Sequence, residues 1–206
     1  MNTALIISGG EYDSSLPTIK YDYVIACDKG YKYALSLGIT PDIVIGDFDS
    51  MPSSDISSNI PVLTHPVRKD DTDTMLAIKH ALKHGYSNIH IICGLGNRLD
   101  HTYANIQSMH YVATHGGMCE MSSSREYLRT IIPSDGLVRI NALDGFSLSL
   151  FALTDNVREV SINGTAYDCV TDLNNHFPLG LGNHFVSNYA EISIKEGALL
   201  VVLSHE

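Results

Sequence analysis

The chain has 206 residues, 44% hydrophobic and 17% charged, which supplies a real core and too little charge for disorder. At about 150 residues per domain it makes one domain or two small ones. Thirteen Lys and Arg against 23 Asp and Glu leave a net charge of −10, so no nucleic-acid partner is expected.

The opening run from Met1 to Gly10 has no basic segment and an apolar stretch of only strand length, which does not read as a secretion signal. No stretch approaches the ~18 consecutive apolar residues of a membrane span, so no membrane partner is expected. Cys27, Cys93, Cys119 and Cys169 form no CxxC pair and are expected to be buried thiols in a reducing cytoplasm.

Short apolar runs predict strands at Leu5–Ser8, Tyr23–Ala26, Ile43–Ile45 and Ile89–Cys93, with a weaker one at Pro61–Thr64. Helical patterns lie between them. Lys29–Leu37 stops at Gly38, a left-handed terminator. Thr72–Lys83 sets Met75, Ile78 and Leu82 on one face. Asp100–Thr114 sets Ile106, Met109 and Val112 or Ala113 on another and ends at Gly116-Gly117. Strand–helix alternation of this kind means a parallel sheet covered by helices.

The texture changes near Met118–Arg125. Strand-like runs follow at Arg125–Ile132, Leu137–Asn141, Phe146–Ala152, Val157–Ile162, Glu191–Lys195 and Leu199–Leu203. Turn signals such as Asp144-Gly145, Asn163-Gly164 and Glu196-Gly197 separate several of them, and no helix is expected. The expected architecture is therefore an α/β domain over residues 1–122, with a parallel sheet in three layers. A small all-β domain, a sandwich or open barrel, takes 123–206.

The chemistry-bearing residues sit where strands end. Pro41-Asp42-Ile43-Val44-Ile45-Gly46-Asp47-Phe48-Asp49-Ser50 runs through a buried strand into two carboxylates. If the backbone stays extended, Asp47 and Asp49 point the same way. Arg68-Lys69-Asp70-Asp71-Thr72-Asp73 opens a helix; one of Asp70, Asp71 or Thr72 caps it, and Asp70 and Asp73, three apart, share a face. Gly94-Leu95-Gly96-Asn97-Arg98-Leu99-Asp100-His101 joins a strand to a helix, where glycines allow close approach, Arg98 suits phosphate oxygens, and Asp100 is either a cap or a ligand-facing acid. With Asp28 after the second strand, six acids gather at strand-to-helix junctions. That is costly unless neutralised, and hard oxygen ligands select Mg²⁺ bridged to phosphate. No P-loop, zinc-ligand spacing or Gly-x-Ser-x-Gly elbow is present.

The ordered set Asp28-x-Gly30, Pro41-Asp42 through Gly46-Asp47-x-Asp49-Ser50, Lys69-Asp70-x-Thr72-Asp73 and Arg98-x-Asp100-His101 resembles the thiamine pyrophosphokinase family. The resemblance spans the whole chain. It implies a homodimer that transfers pyrophosphate from ATP, with Mg²⁺, to the hydroxyl of thiamine, giving thiamine diphosphate and AMP. Carried onto this chain, the catalytic residues would be Asp47, Asp49, Asp70 and Asp73, with Asp47, Asp49 and Asp73 holding the metal. Asp28, Gly30, Lys69, Thr72, Arg98, Asp100 and His101 would bind ATP, and Gly182 and Asn183 the thiamine.

The chain departs from the family where Gly-x-Ser-Asn-Glu-Phe is usual and Gly180-Leu181-Gly182-Asn183-His184-Phe185 stands instead. Gly182 removes the serine hydroxyl, and His184 replaces the glutamate. The same acidic set would also serve a metal-dependent kinase or phosphohydrolase, or a non-catalytic thiamine or nucleotide sensor. Metal-dependent turnover separates the enzymes from the sensor.

Overall fold

The computed structural model describes residues 2–48, 55–65, 70–96 and 98–206. The chain divides into two compact units, Met1–Ser124 and Arg125–Glu206.

In the first unit the strands are β1 Thr3–Ile7, β2 Tyr23–Cys27, β3 Ile43–Gly46, β4 Val62–Thr64, β5 Asn88–Ile92 and β6 Met118–Ser122. The helices are α1 Gly30–Ser36, α2 Asp73–Lys83 and α3 Leu99–Thr114. The strands pair in parallel in the order β6-β5-β1-β2-β3-β4. The order reverses between β1 and β5, and open α/β sheets bind ligands at the carboxyl ends of strands beside such a reversal.

Helices cover both faces. Leu5, Ile7, Val24 and Ile92 pack with Ala34 of α1 on one side. On the other, Tyr23 meets His80 and Cys27 meets the Asp73 carbonyl of α2. Burial on both faces explains why these strands read as nearly continuous apolar runs.

The helix stripes differ from the expected ones. In α2 the buried residues are Thr74, Ala77, Ile78 and Ala81, while Met75 and Leu82 are half-buried. In α3 they are Asn105, Ser108, Met109, Val112 and Ala113, and Ile106 is half-buried. The polar members are satisfied within the fold: Asn105 Nδ2 donates to the Gly94 carbonyl at 2.7 Å and Ser108 to the Ala104 carbonyl at 2.9 Å. Small hydrogen-bonded side chains let a helix sit close to a sheet, so the stripe follows size rather than hydropathy alone. Gly38 ends the α1 segment at φ +71°, the left-handed stop its position predicted.

The second unit contains β7 Glu126–Ile131, β8 Val138–Asn141, β9 Phe146–Ala152, β10 Asn156–Asn163, β11 Cys169–Asn174, β12 Gly180–Asn183, β13 Tyr189–Ser193 and β14 Leu199–His205. Antiparallel pairing gives one set ordered β12-β9-β14-β7 and another ordered β11-β10-β13-β8. Leu148, Leu150, Val157, Ile162, Ile192 and Val201 belong to the core between them. Among the described residues the only helical piece here is the 3-10 turn Pro133–Asp135. Gly145, Gly164 and Gly197 all have positive φ, as their turn positions require.

Three strands were not foreseen: β6, β11 and β12. One cysteine also departs from expectation. Cys27, Cys93 and Cys119 are buried thiols, but Cys169 is exposed.

Candidate functional site

The carboxyl edge of the parallel sheet brings several of the expected acids together. Asp28 follows β2, and its N–H donates to the Ile45 carbonyl at 2.9 Å. This bond sets Asp28 beside Gly46 so closely that a Cβ on Gly46 would lie 2.9 Å from the Asp28 Cβ. Only glycine fits there, and Asp47 is the next residue. Asp28 itself has φ +36°, an unusual value for a non-glycine residue.

The start of α2 joins the same edge through two contacts. The Cys27 thiol donates to the Asp73 carbonyl at 3.6 Å, and the Ser8 and Thr74 hydroxyls lie 2.8 Å apart in a buried position. Thr72 caps the helix, its Oγ1 accepting from the Met75 N–H at 3.1 Å. Asp71 is taken up by Lys79, with a closest approach of 2.6 Å. Among the three capping candidates, Thr72 is therefore the one used.

Phe48 has φ +57°, so the backbone does not stay extended after Gly46, the condition on which the alignment of Asp47 with Asp49 rested. Asp49 and Lys69 lie outside the described residues. Asp70 precedes the cap and is exposed, so helical i, i+3 spacing does not pair it with Asp73.

The loop after β5 serves packing first. A Cβ on Gly94 would come within 2.8 Å of Met121 Sδ, and one on Gly96 would run into the Glu11 side chain. Gly10 and Glu11 donate to the Cys93 and Leu95 carbonyls, which locks the segment after β1 against this loop. Gly30 is likewise a packing glycine, because a Cβ there would strike the Ile7 carbonyl.

Arg98 and Asp100 form an exposed ion pair with Nη2–Oδ2 at 2.6 Å and Nε–Oδ1 at 3.2 Å. The Arg98 hydrogen bond holds the Asp100 carboxyl below its ordinary range. Asp100 is thus not the helix cap: Arg98 occupies that position, without a side-chain cap bond, and the His101 N–H also donates to Asp100 Oδ1. His101 is exposed. Tyr103 is 61% exposed. Asn97 lies outside the described residues.

Among the described residues, no group of three or more His, Cys, Asp or Glu is placed to hold a metal ion. Two carboxylates of the expected trio, Asp47 and Asp73, are described, and both come from segments at the same sheet edge. Their oxygens are the hard donors that Mg²⁺ prefers.

Gly182 and Asn183 lie in β12. Gly180 pairs with Leu150 and Asn183 with Leu148, so two residues, Leu181 and Gly182, oppose Ser149 alone. This is a bulge with Gly182 at φ +74°, its N–H donating to Ser149 Oγ at 3.0 Å. The Asn183 amide is used within the fold. Its Oδ1 accepts from the Tyr167 and His184 N–H groups, and its Nδ2 donates to Thr165 Oγ1 and the Tyr167 carbonyl.

Sequence reasoning missed Ser8 and Thr74. A hydroxyl closing the apolar run of β1 just before Gly9-Gly10 was the available signal.

Comparison with known proteins gives a consistent picture. A model of the thiamin pyrophosphokinase catalytic domain matches residues 18–120. A thiamine pyrophosphokinase of Bacillus subtilis (strain 168) is 26% identical over 217 residues, covering 99% of each chain. A thiamin pyrophosphokinase family protein from Enterococcus faecalis superposes with TM-score 0.83 at 25% identity, covering 100% of both chains. The Candida albicans thiamin pyrophosphokinase shares the fold at TM-score 0.75 and 12% identity, covering 100% of this chain and 89% of its own.

Proposed function

The chain belongs to the thiamine pyrophosphokinase family, and on that premise we propose that it transfers an intact pyrophosphoryl group from ATP to the hydroxyl of thiamine. The observation that carries this reading is the meeting of Asp28, the Gly46-Asp47 segment and the Thr72-Asp73 helix start at one sheet edge.

The thiamine hydroxyl oxygen attacks the β-phosphorus of ATP. The bond from that phosphorus to the oxygen bridging the α-phosphate breaks, and AMP leaves with the bridging oxygen. A carboxylate, Asp73 or Asp49, accepts the hydroxyl proton. The protein's work is mostly alignment and charge control, as in phosphoryl transfer generally.

Asp47, Asp49 and Asp73 would hold Mg²⁺, whose oxygen preference their carboxylates match. When bound, the ion supplies charge neutralisation between the acidic edge and the phosphates of ATP. Asp28, Asp70 and Thr72 position the nucleotide from the same edge, and Lys69 adds positive charge for the phosphates. Arg98, Asp100 and His101 do so from the start of α3. Gly182 and Asn183 belong to the acceptor side, where Asn183 works by shaping the 165–167 loop.

The active form is a homodimer. The β-rich unit leaves Val170, Phe177 and Val186 each more than 60% exposed, which supports pairing with a second copy. A cytoplasmic setting fits four free thiols and the absence, among the described residues, of any helix long and apolar enough to cross a membrane.

The test is Asp73→Asn. Turnover is lost while the unfolding midpoint stays near that of the parent. Near-normal turnover in the folded variant would remove Asp73 from the machinery.

A further inference from the structure

We propose that Lys29 is a further residue of the nucleotide site, its ammonium gripping the triphosphate of ATP at the carboxyl edge of the parallel sheet. This rests on the reading of ATP as the donor and adds a contact to it. The motif Asp28-x-Gly30 leaves position 29 open, so the lysine is a feature of this chain's own sequence.

Nothing local accounts for a lysine here. Lys29 is the N-cap of α1 and makes no side-chain cap bond. An ammonium has donors and no acceptor, so it cannot cap. A cation at the start of a helix also opposes the helix dipole. Its neighbours Asp28 and Gly30 are buried, while Lys29 is exposed. A position that breaks a local rule without a local gain is where function is expected.

The side chain stands at the sheet edge. Its stem passes Gly9, just beyond β1, where a Cβ on Gly9 would lie 3.5 Å from the Lys29 Cβ. The Lys29 Nζ is 5.4 Å from the centroid of the Tyr33 ring. Tyr33 is itself anchored, its hydroxyl donating to the Gly10 carbonyl at 3.0 Å and its ring 5.3 Å from that of Tyr12. Ring and ammonium therefore stand by the segment that follows β1, at the reversal of strand order, and Asp28 is the adjacent residue. A cation–π contact orients an exposed ammonium and yields to a phosphate oxygen, which makes a stronger, charge-assisted hydrogen bond.

The charge balance of the edge calls for such a group. Asp28, Asp47 and Asp73 repel a polyanion that approaches them. Arg98 is engaged by Asp100, and Lys79 by Asp71. Lys29 has no carboxylate partner among the described residues, so it meets a phosphate without giving one up.

The test is calorimetric titration of the full chain, with Mg²⁺ present, by ATP and by inorganic triphosphate at low and high salt. Lys29→Gln is expected to raise the Kd for both ligands about tenfold, as for the loss of one charged hydrogen bond, and to flatten the salt dependence. Lys29→Arg, which keeps the charge, is expected to stay within about threefold of the parent. Cooperative unfolding of both variants shows that the fold is retained.

Unchanged ATP affinity in Lys29→Gln would overturn the proposal. So would a loss that Lys29→Arg does not recover, or one that leaves the salt dependence as in the parent, because either makes the effect structural. Product analysis of the parent with thiamine keeps the two readings apart. If no AMP and thiamine diphosphate form while Lys29→Gln still weakens ATP binding, the reaction falls and the Lys29 contact stands. If product forms and Lys29→Gln binds ATP as the parent does, Lys29 falls alone. A parent that binds neither ATP nor triphosphate overturns both.

Discussion

The Ser8 and Thr74 hydroxyls lie 2.8 Å apart, both buried, and join the end of β1 to the first turn of α2. This contact fixes the height of the helix start above the sheet and so the place of Asp73 beside it. Replacing Thr74 by Val keeps the shape but leaves the Ser8 hydroxyl without this partner. Equilibrium unfolding is expected to show a loss of about 1–3 kcal/mol. Steady-state kinetics are expected to show a larger effect on kcat than on the KM for ATP, because Asp73 shifts while the nucleotide contacts remain. A change in stability with kcat unaltered would mean that the contact does not position the site.

Thr72 offers a simpler test of the same helix. Its Oγ1 accepts from the Met75 N–H, so Thr72→Ala should cost about 0.5–2 kcal/mol in urea unfolding. Thr72→Ser should recover most of that cost. If Ala and Ser behave alike, the cap is not formed in solution.

The Gly30 position separates packing from binding. A Cβ there meets the Ile7 carbonyl, so Gly30→Ala is expected to destabilise the first unit by about 3 kcal/mol, read as a lowered unfolding midpoint. A variant of parental stability with weakened ATP binding would instead make Gly30 a ligand contact.

The exposed pair Arg98–Asp100 predicts a pH behaviour. The Asp100 carboxyl is held below its ordinary value, chiefly by the Arg98 hydrogen bond. A depressed folded-state value means the pair is intact above the unfolded value and is lost only as pH falls through the folded one. The pair therefore does not titrate near neutrality. Asp100→Asn should raise the KM for ATP yet leave the acid limb of the kcat profile where it was. A displaced acid limb would show that Asp100 carries the titrating proton.

What could be read in advance follows burial. β1, β2, β3 and β5 are covered on both faces by helices, so their sequences are apolar throughout and stand out. β6 alternates, with Cys119 and Met121 inside and Met118, Glu120 and Ser122 only half-buried, so Met118–Ser122 offers no continuous apolar run. β11 and β12 are edge strands, and Cys169–Asn174 and Gly180–Asn183 carry the polar and glycine residues that edges and bulges tolerate.

The site was legible as a set of junction acids but not as geometry. The turn of the backbone at Phe48, the uptake of Asp71 by Lys79 and of Asp100 by Arg98 are tertiary choices that spacing does not encode. Nor does spacing distinguish a glycine that admits a ligand from one that admits a neighbouring carbonyl, as at Gly30.

The acceptor side has its own test. Gly182 sits at φ +74° with open space around the Cβ position, so Gly182→Ser fits but carries strain of about 1 kcal/mol. The added hydroxyl is expected to lower the KM for thiamine several-fold, in line with a net gain of about 1 kcal/mol per hydrogen bond. A KM that is unchanged or raised would take Gly182 away from the acceptor.

The most direct measurement is a single incubation of the purified protein with ATP, thiamine and Mg²⁺, with an EDTA control, followed by chromatographic separation of nucleotides and thiamine esters. The account predicts AMP and thiamine diphosphate in equal amounts, both lost with EDTA. ADP with thiamine monophosphate, or product formation that survives EDTA, would contradict it.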